Sequence, residues 1–481
     1  MNLAKVIVHQ ARIREHEPAI AFAGGIATYG MLIRAVESAG EQIDRAGLRR
    51  GTIVAINTRN PFHHIALVLA LELRGIASAA VQTSFNMALT GISPAATLSD
   101  TIAEGEPGVP VIPVDAGWFS IDPHKPAPFA GLMALPGFDS PTALTRIVFS
   151  SGTTGVPKAT GLTGELMIQR GYNNAGMAAQ GIRRLGSMMG ASTLQGYTQP
   201  ISLLSVGSLL CIADNPLDML HLARSLRLET ILASVMQLEG LLRALGTSAP
   251  PAINQIVAMG SKLSPELLAQ VRSRLCANVS FVYGTTETGA ISCAPASMLE
   301  GREGVAGYLV PWVKLQVVDE NDAPLPRGSE GIFRVQSSEL GMRAGGASDE
   351  SYRDGWFYPG DIGILRADDV VEVTGRVGEV INRGGSIVAP DMVEQVLKSH
   401  PEIVDAAVFG VRRADGIEEI CAVIQTRETV DIPTLLRFCR DRLADKAPGV
   451  IEVVETLPKT ATGKLRRQQA REDFLARRSQ P

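Results

Sequence analysis

Four apolar runs in this chain end in the same way. "GTIVAIN", "TRIVFSSG", "AINQIVAMG" and "NVSFVYG" are rich in β-branched residues, and each gives out into glycine or a small polar residue. "ETILAS" reads as a further strand. Between such runs lie segments with helical spacing: "IALVLALELRG", stopped by Gly75, and "SPELLAQVRSRL", opened by Ser264 as N-cap. Strands that alternate with helices build parallel sheets with both faces covered. From about Trp312 the rhythm shifts to shorter strands, "VKLQVVD" and "GIFRVQ", with Gly and Pro turns between them. From Gly378 the chain reads as a compact α+β unit, with strands "DAAVFGV" and "EICAVIQT" and helices "PDMVEQVLKSH" and "PTLLRFCRDRL". The expected fold is α/β. A large N-terminal domain, residues 1–376, holds parallel-rich sheets with covering helices plus a β-rich subdomain, and a small C-terminal domain spans residues 377–481.

A chain of 481 residues that is 45% hydrophobic and 20% charged has material for a large core and more than one domain. A net charge of −4 gives no electrostatic footprint for nucleic acid. The basic tail, Arg466, Arg467, Arg471, Arg477 and Arg478, reads as a solvated helix end. Cys211, Cys276, Cys293, Cys421 and Cys439 are odd in number and form no CxxC pair, which points to reduced thiols and a cytoplasmic setting. The first twenty residues carry charges throughout and lack the apolar core of a signal peptide. "FHHIALVLALELRGIASAA" is interrupted by Glu72 and Arg74, too short and too charged to span a bilayer, and reads as a buried helix followed by a strand.

The chemistry gathers in loops. "VFSSGTTGVPKAT", Val148 to Thr160, puts hydroxyls, two glycines and Lys158 behind a strand. Backbone N–H groups in such a turn converge on phosphate oxygens, and a lysine adds a point charge. It is not a Walker loop, because Pro157 stands where the second glycine belongs and Ala159 replaces Ser/Thr. The bland reading is a polar surface turn. "VYGTTETGA" places Glu287 among small hydroxyl residues, which suits a Mg²⁺ ligand as well as an exposed turn acid. "YRDGWFYPGDIG" sets Asp361 at the start of a strand, where a carboxylate could accept both hydroxyls of a ribose or simply make a turn. In "GRVGEVINRGGSIVAP", Arg376 precedes a domain boundary, and Gly384-Gly385 marks backbone that turns tightly or is closely approached. Lys464 lies on a small turn in "LPKTATGKLRR".

Taken together, "SSGTTGVPK", "YGTTETG", "DGWFYPGD", "GRVGEVINRGG" and "PKTATGKLRR" resemble, in order and approximate spacing, the adenylate-forming superfamily of acyl-CoA synthetases, peptide-synthetase adenylation domains and luciferases. The opening "PAIAFAGGIATYGMLIRAVESAGEQIDRAGLRRGTIVAI" is similar as well, so the resemblance covers nearly the whole chain. It implies that Ser150, Ser151, Gly152, Thr153, Thr154, Gly155 and Lys158 hold the β- and γ-phosphates of ATP. Glu287 and Thr154 would hold Mg²⁺. Tyr283, Gly284, Thr285 and Thr286, with Gly260 and Ser261, would line the adenine and the acyl group. Asp361 would bind the ribose, helped by Arg376, and Lys464 would be the catalytic cation at the α-phosphate and the substrate carboxylate. Gly378 would be the hinge of a mobile C-terminal domain, and Gly384 and Gly385 would flank a pantetheine tunnel.

The implied reaction activates a carboxylic acid as acyl-adenylate, with loss of pyrophosphate, and then passes the acyl group to CoA. Three positions depart from the family pattern. Gly378 stands where the hinge is usually Asp or Lys, Thr193 of "STLQG" replaces an acyl-side His or aromatic residue, and Pro359 replaces the Thr of TGD. The carboxylic acid is not legible. Transfer to the phosphopantetheine of a separate carrier protein is the alternative, and the end of the sequence shortly past Lys464 leaves no room for a fused carrier. A non-catalytic nucleotide-binding relative is the second alternative, opposed by the presence of Lys464, Glu287, Asp361 and Arg376.

Overall fold

Each of the four runs is a strand: Ile53–Asn57, Leu144–Ser150, Gln255–Met259 and Val279–Thr285. The computed structural model describes residues 2–81, 90–101, 108–122, 124–150, 158–177, 182–261, 263–300, 304–344, 351–379, 381–383, 386–388, 390–412, 418–459 and 465–478. The runs divide between two sheets. Among the described residues the larger sheet joins fifteen strands and the smaller joins seven. In the larger, Pro18–Phe22, Leu209–Ile212, Arg184–Ser187, Thr230–Ser234, Gln255–Met259 and Val279–Thr285 run parallel. Beyond them the sheet turns antiparallel through Gly289–Pro295, Val305–Leu309, Val370–Arg376, Asp361–Leu365 and Glu330–Ser337. In the smaller sheet, Leu144–Ser150 runs parallel to Ala77–Ala80 and antiparallel to Lys158–Thr163.

Successive side chains of the buried strand Thr230–Ser234 enter opposite apolar layers, as the pleat requires. Leu232 joins the apolar cluster that fills the space between the two sheets, whereas its neighbours Ile231 and Ala233 join the cluster under the helices Pro216–Leu226 and Val235–Leu245. Residues 381–475 form two further clusters of their own around the strands Ile403–Arg412 and Glu418–Thr426. The short strands Ala96–Ser99, Arg184–Ser187 and Leu209–Ile212 carry few β-branched residues and give no strand signal in the sequence. All five cysteines are free thiols. Among the described residues no helix is long and apolar enough to cross a membrane.

In the basic tail Arg466, Arg477 and Arg478 are exposed as expected, and Arg467 and Arg471 are not. In the helix Arg467–Arg478, Arg467 is nearly enclosed and meets Glu379, Asp391 and Glu394, with Nε 2.9 Å from Glu394 Oε1. Arg471 donates to the Gly410 carbonyl at 2.9 Å. Three carboxylates on one side of a crowded interface draw Arg467 in, and sequence spacing cannot show that.

The apolar stretch with Glu72 is a buried helix, Pro61–Leu73, followed by the strand Ala77–Ala80. Asn60 caps the helix by accepting from the N–H groups of Phe62 and His63, and Pro61 takes the first turn, where its missing N–H costs nothing. Glu72 is buried because its carboxylate accepts the Ala4 N–H at 3.3 Å, at the start of the helix Leu3–Ile13. Burial raises its pKa from 4.5 to about 7, against the pull of the backbone N–H groups of Ala4 and Leu3. Between those two values the folded chain holds a proton that the unfolded chain has released, so stability falls as pH rises through that window. Glu72→Gln keeps the acceptor oxygen and removes the titration. At pH 8 the variant should be more stable by about 3 kcal/mol, with the gap closing toward pH 5, in urea unfolding at each pH.

Candidate active site

The segment "YGTTETG" is the bend of a hairpin between Val279–Thr285 and Gly289–Pro295. Both of its glycines have steric causes. A Cβ on Gly284 would lie 2.0 Å from the Gly289 carbonyl oxygen. Gly289 has φ +69°, and a Cβ there would lie 2.3 Å from Glu339 Oε2. Inside the bend Thr285 and Thr288 hydrogen-bond each other, hydroxyl to hydroxyl at 3.0 Å and Thr288 N–H to Thr285 Oγ1 at 3.1 Å. This closed turn presents Glu287, which is 7% exposed; its carboxylate accepts no hydrogen bond among the described residues, and the buried Arg170 guanidinium lies close enough to feel its charge.

The hairpin belongs to the larger sheet and Lys158 to the smaller. Main-chain bonds at residues 341–344 link them. Met342–Arg343 pairs antiparallel with Lys158–Thr163, and the Ala344 N–H donates to the Ala159 carbonyl at 3.1 Å. One step earlier, the Gly341 N–H donates to the Glu287 carbonyl at 2.6 Å. From there the contacts return to the lysine: Tyr352 donates its hydroxyl to the Gly341 carbonyl at 3.0 Å, and Lys158 Nζ donates to Ser351 Oγ at 2.8 Å. Ser150 ends the strand that feeds the glycine loop; Ser151, Gly152, Thr153, Thr154 and Gly155 lie outside the described residues.

Asp361 and Arg376 face each other in register on adjacent strands. Asp361 is buried; Arg376 Nε donates to its Oδ1 at 2.9 Å, and the Tyr283 hydroxyl donates to its Oδ2 at 2.5 Å. Burial, then the charge of Asp361, pushes the Tyr283 phenol well above its ordinary pKa, so it stays a donor. Burial works against the charge on Arg376, but Asp361 outweighs it and holds the guanidinium above its usual value.

The remaining expected residues are more scattered. Gly260 closes the strand Gln255–Met259 with φ +90° and open space where a Cβ would stand, with Ser261 half-buried beside it. Thr193 caps the helix Leu194–Ser205: its hydroxyl donates to the Gly190 carbonyl at 2.8 Å and accepts the Gly196 N–H at 3.0 Å. Gly378 lies in a turn, without a positive φ and with nothing within 4 Å of a built Cβ. Gly384, Gly385 and Lys464 lie outside the described residues.

Sequence reasoning missed three buried residues and Ser351. Arg170, on the helix Gly164–Met177, donates Nη2 to the carbonyls of Glu339 at 2.6 Å, Glu287 at 2.9 Å and Thr286 at 3.4 Å. Asn173 donates to Glu339 Oε1 at 2.6 Å. Burial raises the Glu339 pKa, opposed by Asn173 and Arg170, and lowers that of Arg170 to about 10. Nothing in "GELMIQRGYNNAG" separates Arg170 from an exposed helix arginine.

This chain of contacts runs from Lys158 past Glu287 to Asp361 and Arg376 across two sheets, and the comparisons with known proteins identify the class as an adenylate-forming enzyme. The profile of AMP-binding enzymes matches residues 7–342, and that of the AMP-binding enzyme C-terminal domain matches residues 392–464. The chain belongs to the AMP-binding enzyme family. It is 34% identical to a probable CoA ligase of Humulus lupulus over 47% of this chain and 44% of that protein. It is 26% identical to a 4-chlorobenzoate–CoA ligase of an Arthrobacter species over 92% of this chain and 90% of that one. In fold it matches an o-succinylbenzoate CoA synthetase from Bacillus subtilis, solved with its acyl-adenylate intermediate, with a TM-score of 0.84 and 21% identity over 97% of both chains.

The hairpin geometry makes a direct prediction. Gly284→Ala must push two strands apart at the bend, so urea unfolding should show a loss of about 1–3 kcal/mol.

Proposed function

We propose that this protein is an AMP-forming acid–thiol ligase that makes an acyl-CoA from a carboxylic acid, ATP and CoA. The observation that carries this reading is the continuous set of contacts linking Lys158, Glu287, Tyr283, Asp361 and Arg376. A carboxylate is a poor electrophile. In the first step its oxygen attacks the α-phosphorus of ATP, the bond to the bridging oxygen breaks, and pyrophosphate leaves. In the second, a thiol attacks the acyl carbonyl and AMP departs with the former carboxylate oxygen.

Each described residue has a task in that scheme. Asp361 already has one donor on each oxygen, and a carboxylate offers about four lone-pair sites, so both ribose hydroxyls can still be accepted. Lys158 supplies a cation toward the pyrophosphate and Lys464 toward the α-phosphate. Glu287 fits Mg²⁺: it is a buried carboxylate whose oxygens accept no hydrogen bond from a described residue. Mg²⁺ takes few protein ligands beside substrate phosphates, here Glu287 with Thr154, and offsets their charge. Gly260, Ser261 and Thr193, at the start of the helix Leu194–Ser205, form the acyl side.

Residues 1–376 make the substrate-binding domain and 377–481 a domain that pivots at Gly378. In the described turn neither φ nor crowding calls for glycine, which is intelligible if the residue must also adopt a second conformation. Gly384 and Gly385 would lie beside the pantetheine path. We place the enzyme in the cytosol, where reduced thiols persist.

The test is a pyrophosphate-release screen over carboxylic acids, with and without CoA. Acid-dependent release followed by CoA-dependent AMP supports the proposal, and no acid-dependent release with any acid counts against it. AMP released only with a phosphopantetheinylated carrier protein would move the acceptor to the alternative. Lys464→Ala should lower adenylate formation by about 10²–10³ while leaving thioester formation from supplied acyl-adenylate largely intact. Gly378→Pro should separate the two half-reactions; a parallel fall in both, tracking folded fraction, would remove the hinge role.

A further inference from the structure

We infer that Arg170 is a positioning residue for the metal-binding carboxylate: its buried guanidinium fixes the peptide of Glu287 and so the reach of that side chain toward Mg²⁺. The inference rests on the reading of Glu287 as the Mg²⁺ ligand.

Arg170 is 2% exposed, and the acceptors it directly meets are main-chain carbonyls. They lie in two turns, 286–287 in the hairpin of Val279–Thr285 and Gly289–Pro295, and 339 just past the end of the strand Glu330–Ser337. Burying a cation is costly, and an apolar side chain would pack a helix onto a sheet more cheaply. What the guanidinium adds is a planar fork that ties separate turns together at fixed spacing. The Glu287 carbonyl is held from both sides, by Arg170 Nη2 at 2.9 Å and by the Gly341 N–H at 2.6 Å. Its carboxylate, by contrast, accepts no hydrogen bond from a described residue and is met only by the charge of Arg170. A pinned backbone beneath a carboxylate whose oxygens accept no hydrogen bond is the arrangement a metal ligand needs. The far turn is fixed in its own right. Glu339 Oε1 accepts from Asn173 at 2.6 Å, one turn of helix from Arg170, and Oε2 lies close against Gly289.

The test uses Mn²⁺ as the probe and the full chain with a non-cleavable α,β-methylene analogue of ATP. Electron paramagnetic resonance reads the free Mn²⁺ during a titration. Arg170→Met should weaken Mn²⁺ binding to the enzyme–analogue complex about tenfold, as loss of an outer-shell partner typically does. Metal-free affinity for the analogue, by equilibrium dialysis, should change less than about twofold. Arg170→Lys keeps the charge without the fork and should show a smaller loss, and it serves as the readout if Arg170→Met fails to fold. Unchanged Mn²⁺ affinity in a folded variant overturns the inference. So do equal losses of Mn²⁺ and metal-free nucleotide affinity, which would mark a general loosening of the cleft. Glu287→Gln in the same titration separates the two levels. If it binds Mn²⁺ normally, the ligand reading itself falls; if it loses Mn²⁺ while Arg170→Met does not, only the role of Arg170 falls.

Discussion

The cleft depends on a pairing two residues long. Met342–Arg343 leaves the larger sheet, which Glu330–Ser337 has just served, and adds itself to the edge of the smaller one beside Lys158–Thr163. That crossing adds main-chain bonds to the apolar layer and the Arg170 contacts that also hold the two sheets together. With it, Gly341 is bonded to Glu287 while its neighbour is bonded to the lysine's own strand. The crossing is also crowded: a Cβ on Gly341 would lie 2.5 Å from Thr160. The backbones of Lys158 and Glu287, the two residues proposed to face the phosphates, are thus tied to one short segment by main-chain bonds.

The ribose side is organised differently. Asp361, Tyr283 and Arg376 come from three strands of one sheet and meet as side chains. Each oxygen of Asp361 has one partner before any substrate arrives, so the acid is oriented without being saturated. The guanidinium is also close enough to Asp391, on the first helix of the C-terminal unit, to feel its charge. One residue therefore faces both the proposed ribose site and the unit that is proposed to move.

Much of this was legible in the sequence. Strands that alternate with helices and end in glycine gave the parallel sheets, because β-branched runs and caps are local signals. The motif glycines were legible as a pattern, and the structure supplies their causes at Gly284 and Gly289. Arg170, Asn173 and Glu339 were not legible, because their roles come from tertiary contacts between distant turns. Arg467 was misread as solvated for the same reason: the carboxylates that enclose it come from residues 379–394. Local sequence reports periodicity and caps, whereas a buried charge is explained only by what folds against it.

The central claim is that the carboxylate oxygen itself attacks the α-phosphorus of ATP. An accepted acid labelled with ¹⁸O in both carboxylate oxygens tests this directly, with mass spectrometry of the nucleotide and phosphate products after a full turnover with CoA. The account predicts one ¹⁸O in each AMP, one in the thioester carbonyl and none in pyrophosphate. Unlabelled AMP, or label in orthophosphate alongside ADP, would contradict it.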